Sequence, residues 1–292
     1  MKDIVEVARA KINLALHVTG QRSDGYHLID SLVTFADFGD VLTFSDAHSD
    51  RLTIYGAFAA KLENDGDNLV VRARDALRAH AVDKGLEAGP VAIRLEKNLP
   101  VASGVGGGSA DAAATLRGLS RYWNLPKGSL DSAAVAASLG ADVPMCLVSV
   151  PLIARGIGDA LAPATTLPSV SLLLVNPLEE ISTAEVFASL AEKDNAPLAL
   201  DGIPQNLDAL VAVLKNARND LEKPAETLAP LLGVVRKALQ YHHPELVRMS
   251  GSGATFFGIF RDLQAAQFAA EALNASYPHW YIHACTTRSI AP

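Results

Sequence analysis

Four glycines in five positions carry the densest chemical signal in this 292-residue chain. Gly104, Gly106, Gly107 and Gly108 stand directly before an alanine-rich helical pattern that runs from about Ala110 to Trp123. Glycines this close allow positive φ and leave successive backbone N–H groups unshielded. The first N–H groups of a helix are also unpaired, and the helix dipole favours negative charge there. Together these make an anion cradle, and Ser109 adds a hydroxyl for a phosphate or a phosphate-bound metal. No Gly-Lys-Ser/Thr follows, so this is not a Walker A loop. Ser109 replaces the third glycine of a dinucleotide fingerprint, and no acidic residue follows at about 20 residues to hold a ribose. A nucleotide held here is approached through its phosphates.

Lys11 to Val18 alternates, with Ile12, Leu14, Leu16 and Val18 on one face and Lys11, Asn13 and His17 on the other. That is the pattern of a half-buried strand, with Lys11 and Asn13 side by side. Upstream the apolar parity shifts to Val5 and Val7, which predicts a bulge or break near Ala8 to Ala10. Gly20 to Gly25 reads as a turn. Leu32–Phe35 and Val41–Phe44 read as two strands joined by a turn at Asp37-Phe38-Gly39-Asp40. Asp67 is the expected cap of a helix over 68–80, and Val91, Ile93 and Leu95 mark a strand. A helix near 131–139 ends at Gly140. Asp142 then precedes Val143-Pro144, a short constrained turn able to fix a carboxylate.

Beyond about Arg155 a strand is expected at 171–175. A capping box at Ser182–Glu185 starts a helix, and further helices are expected at 207–214 and 231–241. The end reads strand (246–249), glycine turn, strand (254–260), helix (264–273) and strand (280–285). Strands and helices do not alternate strictly, so the fold class is α+β, with a boundary near 155–170.

Composition narrows the partners. Hydrophobic residues make up 49%, charged residues 20% and aromatics 6%, the balance of a packed domain rather than a disordered chain. The net charge of -7 argues against a nucleic-acid or anionic-membrane binder. The apolar stretch from Met145 to Ala154 is broken by Ser149 and Pro151, well short of the roughly 18–20 residues of a membrane span. The N-terminus lacks the pattern of a signal peptide. Cys146 and Cys285 suit reduced thiols in a cytoplasmic protein, and no metal-ligand spacing is present.

The run Pro100-x(3)-Gly104-Val105-Gly106-Gly107-Gly108-Ser109-Ala110-Asp111-Ala112-Ala113 resembles the phosphate-binding motif of the GHMP kinases (galactokinase, homoserine, mevalonate and phosphomevalonate kinases). Ala10-Lys11-Ile12-Asn13-Leu14, with Gly20 to His27, resembles the branch whose acceptor carries a cytidyl diphosphate. Asp67-Asn68-Leu69, Leu139 to Pro144, Asn219 to Glu222 and Ser250 to Thr255 fit the same family, so the likeness spans about residues 8–260.

The resemblance implies a two-lobed GHMP-kinase-like α+β fold. Its N-terminal lobe (1–160) would be ribosomal-protein-S5-like, and its C-terminal lobe (161–292) a ferredoxin-like α/β lobe. It implies transfer of the ATP γ-phosphate, with Mg2+, to the 2-hydroxyl of a methylerythritol unit in the non-mevalonate route to isoprenoid precursors. Asp142 would be the base, and Lys11 would stabilise charge and keep Asp142 ionised. Asn13 would orient the polyol, Tyr26 would stack on cytosine, and His27 would bond its edge. Thr183 and Phe187 would add a substrate contact and a second aromatic. ATP would be held by Asn68, Lys97, Pro100, Val101, Ala102, Ser103, Gly104, Val105, Gly106, Gly107, Gly108, Ser109 and Ala110.

The partners implied are these two small molecules, with neither nucleic acid nor membrane, and a monomer or weak homodimer. Val105 stands where the family usually has Leu, and Ala110 where it often has a second Ser. Asp111, expected in the first turn of the helix, suits its dipole but adds negative charge near phosphates. The competing readings are a kinase for another small alcohol such as homoserine, and a nucleotide-binding protein of the same fold without turnover. Tyr26 and His27 separate the cytidyl acceptor from the small-alcohol one, because an acceptor without a base has no use for them; Asp142→Asn, which should spare folding and ATP binding while phosphoryl transfer falls, separates the reading without turnover.

Overall fold

A computed structural model of the chain describes residues 3–62, 67–128 and 131–288. The first half contains β1 (Ile4–Gln21), β2 (His27–Asp46), β3 (Arg51–Tyr55), α1 (Leu69–Asp83), β4 (Val91–Glu96) and α2 (Gly107–Tyr122). Then come α3 (Ser132–Leu139), α4 (Val143–Val148), β5 (Leu152–Gly156), β6 (Ala160–Pro163), β7 (Ser171–Asn176) and α5 (Thr183–Ala188). The chain closes with α6 (Leu207–Asn216), α7 (Glu222–Leu228), α8 (Leu231–Gln240), β8 (Leu246–Met249), β9 (Phe256–Phe260), α9 (Leu263–Ser276) and β10 (Tyr281–Thr286). The α+β class holds.

Contacts group the chain into two units. The first takes residues through Ala10, Phe38–Val101 and Gly106–Ser149; the second takes Lys11–Asp37, Ala102–Val105 and the chain from Val150.

In the first unit β3 lies parallel to β4, and β4 pairs antiparallel with residues 41–46 of β2. Helix α2 packs against α1 and α4. Its alanines, Ala110 and Ala112 to Ala114, are buried, because methyl groups allow close approach. Gly118 extends this: a Cβ there would lie 2.1 Å from the Phe44 ring. Arg117 of α2 donates to Glu6, to the Val7 carbonyl and to the Cys146 carbonyl, tying α2 to the start of β1 and to α4.

In the second unit the sheet order is β10-β7-β9-β8, antiparallel throughout. One side of its core gathers Val175, Phe256, Phe260, Leu232, Leu239, Ala266 and Leu273, together with Leu16 and Val18 of β1. Residues 29–33 of β2 pair antiparallel with β5, and β5 with β6.

Several sequence expectations are corrected. Asp37 to Asp40 is no turn, since β2 continues through it. Asp40 is fully buried, and Gly39 lets the Ala8 backbone approach so closely that a Cβ would sit 2.0 Å from the Ala8 carbonyl oxygen. These tertiary contacts override the local turn preference of Asp and Gly. Strand β1 runs unbroken from Ile4 to Gln21 and is buried on both faces from Ala10 to Val18, rather than half-buried. Asn68, not Asp67, caps α1; its side chain accepts the Val70 N–H. Helix α2 starts at Gly107 rather than Ala110. The short elements α4, β5, β6 and α7 are not expected from the sequence, nor is β3, although its Leu52 and Ile54 alternate with exposed neighbours.

Candidate active site

The segment between β4 and α2 has the expected backbone. Ala102, Gly104 and Gly106 all take positive φ (51°, 75° and 66°). Gly106 caps α2 in the left-handed conformation and supplies no side-chain acceptor. The first N–H groups of this 16-residue helix thus have no capping side chain, as an anion cradle requires. Ser109 lies half-buried in the first turn, while Gly108 is exposed.

The turn Ser250-Gly251-Ser252-Gly253 rests directly on this loop. The Ser250 hydroxyl donates to the Gly104 carbonyl (3.0 Å), and the Thr255 N–H donates to the Ser103 carbonyl (3.1 Å). A Cβ on Gly104 would lie 2.4 Å from the Ser250 carbonyl oxygen. Asn219 holds the turn from behind, donating to the carbonyls of Met249 and Gly251.

Lys11 and Asn13 sit on β1 beside this loop. The Lys11 N–H donates to the Val105 carbonyl (2.8 Å), and the Asn13 N–H donates to the Ser250 hydroxyl (3.1 Å). Asn13 Nδ2 donates to the Ser31 hydroxyl, which donates onward to the Ala15 carbonyl. Asn13 Oδ1 is buried and accepts nothing. Gly251 leaves room near it: a Cβ at that glycine would stand 3.5 Å away.

In the same unit the His27 ring stacks on Phe187, with centroids 4.8 Å apart. Burial is the main cause that lowers the His27 pKa, and the charge of Lys193 adds to it. The imidazole is therefore neutral at pH 7, and its buried Nε2 has no partner. Tyr26 is exposed next to it. Thr183, at the start of α5, shares a hydrogen bond with the Ser252 hydroxyl (2.8 Å). Ser182 caps α5 by accepting the Glu185 N–H.

In the first unit, Asp142 caps α4. Its carbonyl accepts the Cys146 N–H, and its carboxylate makes no cap hydrogen bond. Pro144 pre-sets the first turn of that helix. Asn68 spends its side-chain oxygen on capping α1, and the start of α1 lies against the start of α2: Leu69 Cδ1 would be 3.2 Å from a Cβ on Gly108.

Lys97, expected among the ATP contacts, is 2% exposed. Its ammonium donates to Asp40 (2.5 Å) and to Asp111 (2.7 Å). Because α2 starts at Gly107, Asp111 lies past its first turn and is buried against Lys97. Burial, the largest cause, pushes the Asp111 carboxyl well above the usual range. Burial works to lower the Lys97 pKa, but the charges of Asp111 and Asp40 outweigh it, and the net direction is up. Ser31 and Asp40 are parts of this region that the sequence does not single out, whereas Asn219 and Ser250 lie in the segments 219–222 and 250–255 that carry the family likeness. For Asp40 the available signal is its glycine neighbour, which reads as a turn.

The GHMP kinases N terminal domain family matches residues 68–149, and the GHMP kinases C terminal family matches residues 202–279. A 4-diphosphocytidyl-2-C-methyl-D-erythritol kinase from Rhizobium johnstonii is 57% identical over 98% of this chain and 94% of its own length. The enzyme of that name from Sinorhizobium medicae is 53% identical over 96% of this chain and 94% of its own. A crystal structure of 4-(cytidine 5'-diphospho)-2C-methyl-D-erythritol kinase superposes with a TM-score of 0.80 at 33% identity, covering 98% of this chain and all of that one. A homoserine kinase from Cytophaga hutchinsonii shares the fold alone, with a TM-score of 0.63 at 18% identity, covering 99% and 95% of the two chains. The chain belongs to the GHMP kinase family, in the branch of these 4-diphosphocytidyl-2-C-methyl-D-erythritol kinases.

Proposed function

We propose that this chain transfers the γ-phosphate of ATP to the 2-hydroxyl of 4-diphosphocytidyl-2-C-methyl-D-erythritol. The observation that carries the choice of acceptor is the stacked His27–Phe187 pair, with an unpartnered Nε2 on the histidine and Tyr26 exposed beside it. A planar base has a use for such a platform; homoserine or mevalonate has none. The close relatives carry the same acceptor in their names.

Phosphoryl transfer needs positioning and charge neutralisation more than covalent help. The N–H groups at the start of α2 hold the phosphates. Asn13 Oδ1 accepts from a polyol hydroxyl and orients the acceptor. Asp142 takes the proton of the attacking hydroxyl, and Lys11 offsets the charge that develops. Mg2+ suits a site whose donors are oxygens: the Ser109 hydroxyl would join the triphosphate in holding it, and when bound it neutralises phosphate charge. In chain order the two lobes are read as 1–160 and 161–292, one family match falling in each, while contacts group Lys11–Asp37 and the chain from Val150 with the second unit. The enzyme works in the cytoplasm as a monomer or weak homodimer. Among the described residues no helix is long and apolar enough to cross a membrane.

Base stacking on an aromatic ring is worth about 1–3 kcal/mol. Tyr26→Ala and Phe187→Ala should each raise the acceptor KM by roughly tenfold or more, with the ATP KM within about twofold. Equal changes in both KM values would contradict the cytidyl assignment and favour a small-alcohol acceptor.

A further inference from the structure

The Asp40–Lys97–Asp111 cluster is a buried charged group of the first unit, and its arrangement fits no direct contact with ATP. Lys97 is 2% exposed, and both carboxylates beside it are buried. Asp40 Oδ1 accepts the N–H groups of Asn98 and Leu99, the segment that leads into the glycine loop. Asp111 stands on α2, just past its first turn. The cluster therefore joins the chain entering the loop to the helix leaving it. It also lies under the first residue of that helix: a Cβ on Gly107 would be 3.2 Å from Lys97 Nζ and 3.8 Å from Asp40 Oδ2.

Asp111 Oδ1 is buried without a partner, so the carboxyl joins the cluster through Oδ2, which accepts from the Lys97 ammonium. A buried ion cluster is seldom more stabilising than a well-packed apolar one, because desolvation offsets the attraction. What charge adds is a fixed distance and direction, which an apolar contact does not impose.

We propose that Lys97 and Asp111 are positioning residues of the phosphate loop: the ammonium, clamped between Asp40 and Asp111, fixes the first turn of α2 where its N–H groups meet phosphate, and it does so without touching ATP. This rests on the reading of the chain as an ATP-dependent kinase. Its test therefore uses binding rather than turnover, and an absence of ADP release from the wild type would be read separately as a failure of that reading.

The full-length protein is titrated calorimetrically with AMPPNP plus Mg2+, and with cytidine diphosphate. Asp111→Ala should weaken AMPPNP binding about tenfold or more and leave cytidine diphosphate affinity within about twofold. Asp111→Asn, which keeps an oxygen for the Lys97 ammonium, should restore AMPPNP affinity to within about threefold of the wild type. Unchanged AMPPNP affinity in folded Asp111→Ala overturns the proposal, as does an equal loss for both ligands. If Asp111→Ala fails to fold, the wild type decides through acetylation with a small amine-reactive reagent and peptide mass spectrometry. Lys97 should stay unmodified with and without AMPPNP. Its modification in the ligand-free protein, whether or not AMPPNP suppresses it, overturns the proposal.

Discussion

At Asn13 the two polar atoms of one amide have different fates. Nδ2 is bonded to Ser31, while Oδ1 is buried with nothing to accept. An unmet buried acceptor costs about 1–3 kcal/mol, so the folded protein carries this cost until a hydroxyl arrives. Asn13→Leu should therefore leave the melting temperature unchanged or higher while kcat/KM falls by about tenfold to a hundredfold. A lower melting temperature with intact kinetics would make Asn13 a structural residue. Asp142→Asn is nearly isosteric, and its carboxylate is not needed as a cap. It should cost about 10²–10⁴-fold in kcat, with AMPPNP affinity in calorimetry retained. The types and order of Lys11, Asn13 and Asp142 were legible in the sequence. The burial of Lys11 and Asn13 was not. A polar residue on an alternating strand reads as solvated, and only distant partners such as Ser31 and Ser250 let it sit inside.

At the scale of elements, the glycine loop came through well and β2 did not. Positive φ before an apolar helix is a local property, and four clustered glycines signal it directly. Asp37-Phe38-Gly39-Asp40 also looks local, but its conformation is set by contacts far along the chain. Asp40 is held by Lys97 and by the Asn98 and Leu99 N–H groups, and Gly39 by the close approach of Ala8. Gly39→Ala should accordingly destabilise the protein by about 3 kcal/mol, readable in urea unfolding, because backbone cannot yield as a side chain can. A turn residue at that position would tolerate alanine with little loss. The helix start was misplaced by three residues for a related reason: Gly107 and Gly108 are poor helix formers, and the helix begins there because it packs against α1 and α4.

For the whole molecule, the net charge of -7 argued against polynucleotides and is compatible with holding ATP, because the loop offers backbone N–H groups rather than a basic patch. Four histidines, His17, His27, His242 and His283, have pKa values lowered below the ordinary 6.5, mainly by burial. His17 shows why neutrality matters: its ring bonds the Ala196 carbonyl on one side and accepts the Arg218 N–H on the other. With folded pKa values depressed, the unfolded chain takes up protons first as pH falls below 6.5. Stability is full above that value and declines below it. Thermal unfolding between pH 7 and 5 should show this decline, and His17→Gln should flatten it; an unchanged slope would mean that His17 does not contribute. The raised Asp111 pKa acts with the opposite sign but is common to both proteins, so their difference isolates His17.

The identity of the acceptor is what sets this chain apart from the other kinases of its fold. The most direct measurement is ADP release by the wild-type protein with ATP and Mg2+, given 4-diphosphocytidyl-2-C-methyl-D-erythritol, homoserine or mevalonate in parallel. ADP should appear in step with the cytidyl substrate and stay at background with the other two. Release driven equally or better by homoserine or mevalonate, or by none of the three, would show that the cytidyl compound is not the acceptor.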